Sequence, residues 1–175
     1  MKGNKLSQFG SICLLILSGS FSNLARADCE QTLAEEKSGY RVSLSLTGDC
    51  NKGMFVLTID MPDGTQQTLY EAYGQPFAEM WLDKLVGNPQ PDIVLLQQVE
   101  ERFAGLLVYS WQNNRYKKQT INQPTDSLMS DYAEQDKVYV RWGALVRQIK
   151  LIDPEGPGWR RLSYDFDKAS WVESN

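Results

Sequence analysis

The sequence predicts an all-β fold, namely an antiparallel β-sandwich of about eight or nine short strands. Apolar and polar residues alternate in segments such as YRVSLSL at 40–46, as expected for a strand with one buried face. Turn signals such as PDG at 62–64 recur roughly every eight residues. No stretch is long and regular enough to supply the helix of a β-α-β crossover, so the strands should pair antiparallel.

In the first half of the chain, residues 28–37 are polar and predict at most one helical turn. Strand 40–46 follows, and then MFVLTIDM at 54–61 and TQQTLYEAY at 65–73 predict a hairpin around PDG. Gly87, Pro89 and Pro91 interrupt the alternation and exclude a long helix or a central strand at that point.

In the second half, IVLLQQV at 93–99 and GLLVYSW at 105–111 predict two apolar strands, and RYKKQTI follows a turn at QNN. A long polar loop at 122–136 comes next, and loops of that length are often functional. The segments 137–152 and 159–174 predict two hairpins, which turn near Gly143 and at Asp167–Lys168.

Residues 1–27 have the features of a secretory signal peptide. MKGNK supplies positive charge, FGSICLLILSGSF is a short apolar run, and ARA places small residues before a cleavage point at Asp28. The run is too short to span a bilayer, and Asp28 rather than a cysteine would begin the mature chain, so no membrane anchor is expected. We predict one β-sandwich domain at 28–175 that is periplasmic or secreted.

The mature chain is predicted to be acidic. Cleavage removes Lys2, Lys5 and Arg26 but no acid, which leaves 15 basic and 22 acidic side chains and a net charge of −7. This excess argues against nucleic acid or an anionic membrane as partner. It is compatible with a basic protein partner, although solubility alone also explains it. A homodimer is left open.

Two cysteines remain after cleavage, because Cys13 lies in the signal peptide. Cys29 and Cys50 are predicted to form a disulfide in an oxidising compartment. The bridge would close a loop of roughly 20 residues, worth about 3 kcal/mol in the chain-entropy estimate. A redox pair is disfavoured because the chain has no C-x-x-C motif.

The chain contains no histidine, which removes the commonest general base and metal ligand. Six aspartates near turns could supply the carboxylate pair of a glycosidase, but turn formation already explains them: Asp63, Asp83, Asp92, Asp126, Asp131 and Asp136. The loop LDKLVGNPQPD offers too few oxygen ligands for calcium. We therefore predict a protein that is not an enzyme and that needs no cofactor or metal.

The segment VEERFAGLLVYSW contains the principal candidate site. Glu100, Glu101, Arg102 and Phe103 interrupt two apolar strands and would contact a partner's cleft, with Phe103 as a buried anchor. The loop at 125–136, with Tyr132 and Asp136, would lie beside them. The alternative is a solvated turn whose Phe103 folds back onto the core.

A second surface has the composition of a glycan-binding site. Trp111, Arg115, Tyr116, Lys117 and Lys118 combine aromatic rings with positive charge and could stack on sugar. The alternative is that the rings belong to the core and that the lysines protect an edge strand from aggregation.

Residues 81–172 resemble the periplasmic inhibitors of invertebrate-type lysozyme. The resemblance is carried by the order of LVGNPQPDIVLLQQ, ERFAGLLVYSW and DYAEQDKVYVRWGALVRQIKLIDPEGPGWRRLSYDFDKASWV. The matching positions are spaced through these segments: Gly87, Asn88, Pro89, Val108, Tyr109, Tyr132, Asp136, Leu145, Val146, Arg147, Gly158, Arg160, Tyr164 and Trp171.

The resemblance implies a periplasmic β-sandwich that inserts a loop into the lysozyme cleft and blocks the catalytic carboxylates. The family's Ser/Gly/Tyr insertion loop corresponds to 100–105 here, with Phe103 near the Tyr position and Ala104 near a Gly. The serine hydroxyl is replaced by charged residues, and DYAEQD lacks the Gly and His that commonly follow the tyrosine.

The leading interpretation is therefore an exported protein that inhibits a basic, lysozyme-like hydrolase by loop insertion. One alternative is a non-inhibitory envelope protein that binds peptidoglycan through the Trp111 surface. Another is an immunity protein against a wall-degrading toxin. The same sequence features fit an immunity protein and an inhibitor equally well.

Overall fold

A computed structural model describes residues 31–49, 52–99, 102–152 and 158–174. These ranges contain antiparallel strands and no helix, so none of them supplies a helix able to cross a membrane. The predicted all-β fold is confirmed. The described ranges contain twelve strands: β1 (Thr32–Lys37), β2 (Tyr40–Asp49), β3 (Lys52–Asp60), β4 (Gln66–Tyr73), β5 (Phe77–Asp83), β6 (Asp92–Val99), β7 (Arg102–Gln112), β8 (Arg115–Gln119), β9 (Tyr132–Arg141), β10 (Ala144–Leu151), β11 (Trp159–Asp165) and β12 (Ser170–Glu173).

The strands form three sheets, and each sheet is a four-stranded meander in chain order. The first sheet holds β1 to β4, the second holds β5 to β8, and the third holds β9 to β12. The hairpin around PDG and the turns near Gly143 and at Asp167–Lys168 join paired strands as predicted. Short connections between neighbouring strands account for this simple order.

Two edge strands raise the number of strands above the expected eight or nine. β1 (TLAEEK) lies where one helical turn was predicted, and most of its side chains are exposed because it covers only the margin of the first sheet. β5 (FAEMWLD) precedes the Gly87–Pro91 interruption and forms the edge of the second sheet. The alternation is weak in β1 because most of its side chains are exposed. In β5 three side chains are buried, but the pairing shifts between Phe77 and Glu79 and interrupts the alternation.

The second sheet lies between the other two and is buried on both faces. Ile93 and Leu95 pack in a cluster with the first sheet, whereas Val94 and Leu96 pack in a cluster with the third. Successive side chains of a strand point to opposite faces, so β6 needs the unbroken apolar run IVLL. Burial of each such side chain stabilises the fold by about 1.5–3 kcal/mol.

Side chains also join the first and second sheets at their margins. Gln67 donates from Nε2 to the carbonyl of Tyr116 (3.0 Å) and accepts at Oε1 from its N–H (2.7 Å). Lys37 of β1 forms an ion pair of 2.9 Å with Asp83 of β5. Burial alone would raise the pKa of Asp83, but hydrogen bonds from Lys37 and from the N–H of Lys84 bring it below its usual value.

Candidate functional site

The predicted contact segment occupies the connection between β6 and β7. Val99 pairs with Arg102, so Glu100 and Glu101, here called the acidic tip, are the two residues that join these strands. The acidic tip and the Arg102 side chain lie outside the described residues. Phe103 is partly buried and packs on the cluster between the second and third sheets, as in the alternative that folds it onto the core.

A β-bulge determines the direction of the Phe103 ring. Gln97 pairs with Gly105 and Gln98 pairs with Phe103, so Ala104 has no partner on β6. One extra residue reverses the alternation of faces along the strand. Phe103 therefore joins Leu106 on the side of the third sheet; without the bulge its ring would point to the first sheet.

A buried ion pair fixes the backbone just after the acidic tip. Asp136 and Arg147 are 5% and 4% exposed. Nε and Nη2 of Arg147 each lie 2.7 Å from Oδ2 of Asp136. The other carboxylate oxygen, Oδ1, accepts the N–H of Phe103 at 2.8 Å. Asp136 therefore links β9, β10 and β7, and we call this arrangement the Asp136 clamp.

The guanidinium of Arg147 also contacts two aromatic rings. Its central carbon lies 4.4 Å from the ring centroid of Phe103 and 6.0 Å from that of Tyr132. Cations within about 6 Å of a ring are attracted to its face. The third nitrogen, Nη1, is buried and has no hydrogen-bond partner among the described residues. Packing and charge together hold Arg147 beneath Phe103.

The prediction of a loop up to residue 136 was wrong, because Tyr132 and Asp136 belong to β9. An irregular pairing of β9 with β10 brings the clamp residues together. Asp136 pairs with Ile149 and Tyr132 with Leu151, so three residues of β9 bulge opposite a single residue of β10. Glu134 adopts a φ of 55° within this bulge. Tyr132 and Asp136 thus both face the second sheet, with Arg147 diagonal to Asp136 on the next strand.

An open depression of about 310 Å³ lies beside the clamp. Burial raises the pKa of the Tyr132 hydroxyl, and the charge of Asp136 raises it further, while Arg147 acts in the opposite direction. Tyr132 is therefore a neutral phenol at pH 7. The depression can offer hydrogen bonds and an aromatic surface to a partner, and its lining is Phe103, Ala104, Gln123, Tyr132, Glu134 and Arg147.

Three further candidate residues have structural roles. Tyr116 is 2% exposed and donates its hydroxyl to the carbonyl of Pro91 at 3.0 Å, and the half-buried Trp111 packs edge-on against it. The suggested sugar-stacking surface therefore loses Tyr116 to the core. Asp92 is fully buried, and its Oδ2 accepts the N–H groups of Leu85 and Val86 at 2.7 and 2.9 Å.

Two predictions concern residues beyond the described ranges. The signal peptide at 1–27 and the Cys29–Cys50 bridge both lie there and stay predictions. Within the ranges that the structure describes, no group of three carboxylate, cysteine or histidine side chains is placed to hold a metal ion.

Arg147 was matched by the resemblance, but its position next to Asp136 was not foreseen. A signal was present, because Asp136 shares the apolar register of β9 with Val138, and Arg147 shares that of β10 with Leu145 and Ile149. Opposite charges in the apolar register of consecutive strands indicate a buried pair.

Comparisons with protein-family models, curated proteins and solved structures gave no match.

Proposed function

We propose that this chain is an exported, non-enzymatic protein that inhibits a lysozyme-type hydrolase by inserting the acidic tip into its cleft. The observation that supports this most is the Asp136 clamp. Asp136 accepts the N–H of Phe103, the second residue after the tip, and Arg147 packs against the Phe103 ring. The clamp thereby fixes the strand from which the tip extends.

A fixed base favours insertion because ordering a mobile loop on binding costs free energy. Each immobilised side chain costs about 0.5–1.5 kcal/mol, and pre-organisation avoids part of this cost. β6 and β7 stay paired up to Val99 and Arg102, so the two residues of the tip directly follow a paired strand end. The second sheet beneath is buried on both faces, which makes it a rigid support.

The charge of the tip indicates the kind of partner. Asp136 and Arg147 compensate each other, so the clamp adds no net charge at the start of β7. Two adjacent carboxylates at a strand connection suit a basic cleft with hydrogen-bond donors, and complementary charge accelerates association. Inhibition would arise from steric occlusion and charge pairing, with no bond made or broken.

The resemblance to inhibitors of invertebrate-type lysozyme supports the same role, since the tip corresponds to the loop that such proteins insert. Here Glu100 and Glu101 stand where the family has small hydroxylated residues. We therefore expect the same manner of binding with a preference for a more basic cleft. An immunity protein against a wall-degrading toxin would use the same contact.

The test is a cell-wall lysis assay with purified protein and invertebrate-, chicken- and goose-type lysozymes. We expect loss of lysis with at least one enzyme at equimolar protein. Glu100→Gln with Glu101→Gln should weaken inhibition at least 30-fold, because truncating a paired interfacial charge typically costs about 2–5 kcal/mol.

The matched control is Glu35→Gln with Glu36→Gln on β1, where two exposed neighbouring glutamates are changed in the same way. This variant should inhibit as the unmodified protein does. Full lysis by all three lysozymes in the presence of a tenfold excess of the protein would refute the proposal. Equal weakening by the control pair would show that the tip is not the contact.

A further inference from the structure

The outer face of the third sheet has a charge opposite to that of the whole chain. Along β9 to β12, the side chains that alternate with the core residues include four cations, Lys137, Arg141, Lys150 and Arg161. Asp165 is the only acid in these positions, and it pairs with Lys168 at 2.7 Å. The face is therefore basic on a chain whose net charge is −4.

These four cations have no acidic partner within the part of the chain that the structure describes. No carboxylate oxygen of the described residues lies within 4.0 Å of a side-chain nitrogen of these four residues. Lys150 donates only to the neutral Oε1 of Gln135, at 2.8 Å. The pairing of Lys137 with Gln148, and of Gln148 with Arg161, sets two of the cations in one row across the sheet.

The first sheet provides an internal comparison, because no other sheet of the described residues packs on its outer face either. Two cations, Arg41 and Lys52, stand there among three acids, Glu36, Asp49 and Asp60. Negative charge thus prevails on one outer layer and positive charge on the other. Such an asymmetry orients the molecule in an electric field, with the third sheet turned toward an anionic surface.

Exposed apolar side chains are concentrated on or next to the third sheet. Six large apolar side chains are exposed among the described residues, and four of them lie on or next to the third sheet: Trp142 (86%), Ile152 (70%), Trp159 (41%) and Val172 (38%). Arg141 lies 3.8 Å from the ring centroid of Trp142, and Lys137 lies 5.7 Å from that of Trp159. Each indole is thus accompanied by a cation.

We propose that the outer face of the third sheet docks on an anionic lipid bilayer. Lys and Arg would meet the headgroup phosphates, and the indoles of Trp142 and Trp159 suit the boundary between headgroups and acyl chains. Ile152 and Val172 gain by burial in lipid, whereas a polyanionic glycan or nucleic acid offers them nothing comparable. This docking does not depend on the proposed inhibition, which uses the acidic tip between β6 and β7.

The test is co-sedimentation with vesicles that contain phosphatidylglycerol, compared with vesicles of phosphatidylcholine alone. All proteins carry the same N-terminus, verified by mass spectrometry, so differences report only the substituted residues. We expect binding to the anionic vesicles, its loss in high salt, and a blue shift of tryptophan fluorescence that Trp142→Phe reduces. Lys137→Gln with Arg161→Gln should lower the partition coefficient about 25-fold, five-fold for each cation removed.

The matched control is Arg41→Gln with Lys52→Gln, which removes one arginine and one lysine from the outer face of the first sheet. Its partition coefficient should change less than two-fold, and urea unfolding of both variants verifies that they fold. Equal binding to neutral vesicles, equal effects of the two pairs, or no binding to anionic vesicles would overturn the proposal. Binding to an anionic polysaccharide without binding to vesicles would also overturn it.

Discussion

Replacing Arg147 with methionine is expected to destabilise the fold by about 3–5 kcal/mol, the usual cost of leaving one partner of a buried ion pair alone. The carboxylate of Asp136 is 0% exposed and would retain only the N–H of Phe103. Asp136→Leu should cost a similar amount, because the buried guanidinium would then lack its anion. Either change equals a large part of the 5–15 kcal/mol that a domain has in total.

The double variant Asp136→Leu with Arg147→Met should be much less damaging than the sum of the two. No unpaired charge remains, and methionine fills much of the space next to the Phe103 ring. The principal loss is then the unsatisfied N–H of Phe103, about 1–3 kcal/mol. We expect a coupling energy of at least 3 kcal/mol, whereas residues that do not interact add within about 0.5 kcal/mol.

Urea unfolding of the four proteins of this cycle measures the free energies directly, provided that the m-value stays constant. Single-variant losses below 1 kcal/mol would contradict the assignment of Asp136 and Arg147 as a clamp. So would losses that simply add, since the two side chains would then stabilise the fold independently.

Three further outcomes are expected. Asp83→Asn should remove a pH-dependent contribution to the free energy of unfolding. The pKa of Asp83 is lowered in the folded state, so its stabilisation is present above the unfolded pKa and is lost as pH falls through the folded pKa, below about pH 4. A variant with the same acid unfolding curve as the unmodified protein would contradict this. Phe103→Ala should cost about 2 kcal/mol in urea unfolding, less than a fully buried phenylalanine, and Phe103→Leu about half of that. The exported protein should contain no free thiol, and reduction should destabilise it by about 3 kcal/mol if Cys29 and Cys50 are joined; two reactive thiols in the folded protein would disprove the bridge.

The strands that the sequence predicted well are those with a strong periodic pattern. Segment 40–46 alternates strictly, and IVLL at 93–96 is apolar throughout because β6 is buried on both faces. β1 and β5 were missed for the opposite reason: most side chains of β1 are exposed, and an irregular pairing between Phe77 and Glu79 interrupts the alternation of β5. Their pairing depends on neighbours that are distant in the chain, which a local pattern does not report.

Three of the predicted contact residues lie close together in the structure, but the sequence did not predict their arrangement. Phe103, Tyr132 and Asp136 were selected, and the structure brings all three to one place around Arg147. The bulge at Ala104 and the irregular pairing of β9 determine this arrangement, and both depend on register. A shift of one residue would have sent Phe103 to the other face.

The net charge of the chain did not predict the positive charge on the outer face of the third sheet. A net charge of −7 for the predicted mature chain argued against an anionic membrane as partner. The charges are not evenly distributed, however, because Lys137, Arg141, Lys150 and Arg161 are brought to one face only by the pairing of β9, β10 and β11. Total charge describes long-range behaviour, whereas docking depends on the surface that makes contact.

The central claim is that the acidic tip of this protein occupies the catalytic cleft of a lysozyme-type hydrolase. The most direct measurement is the dissociation constant for a lysozyme that the protein inhibits, determined with the enzyme free and again with its cleft saturated by a chitin oligosaccharide. If the tip occupies the cleft, the apparent dissociation constant rises in proportion to the oligosaccharide concentration. A dissociation constant that stays unchanged at saturation would contradict the claim, because the protein would then bind elsewhere on the enzyme.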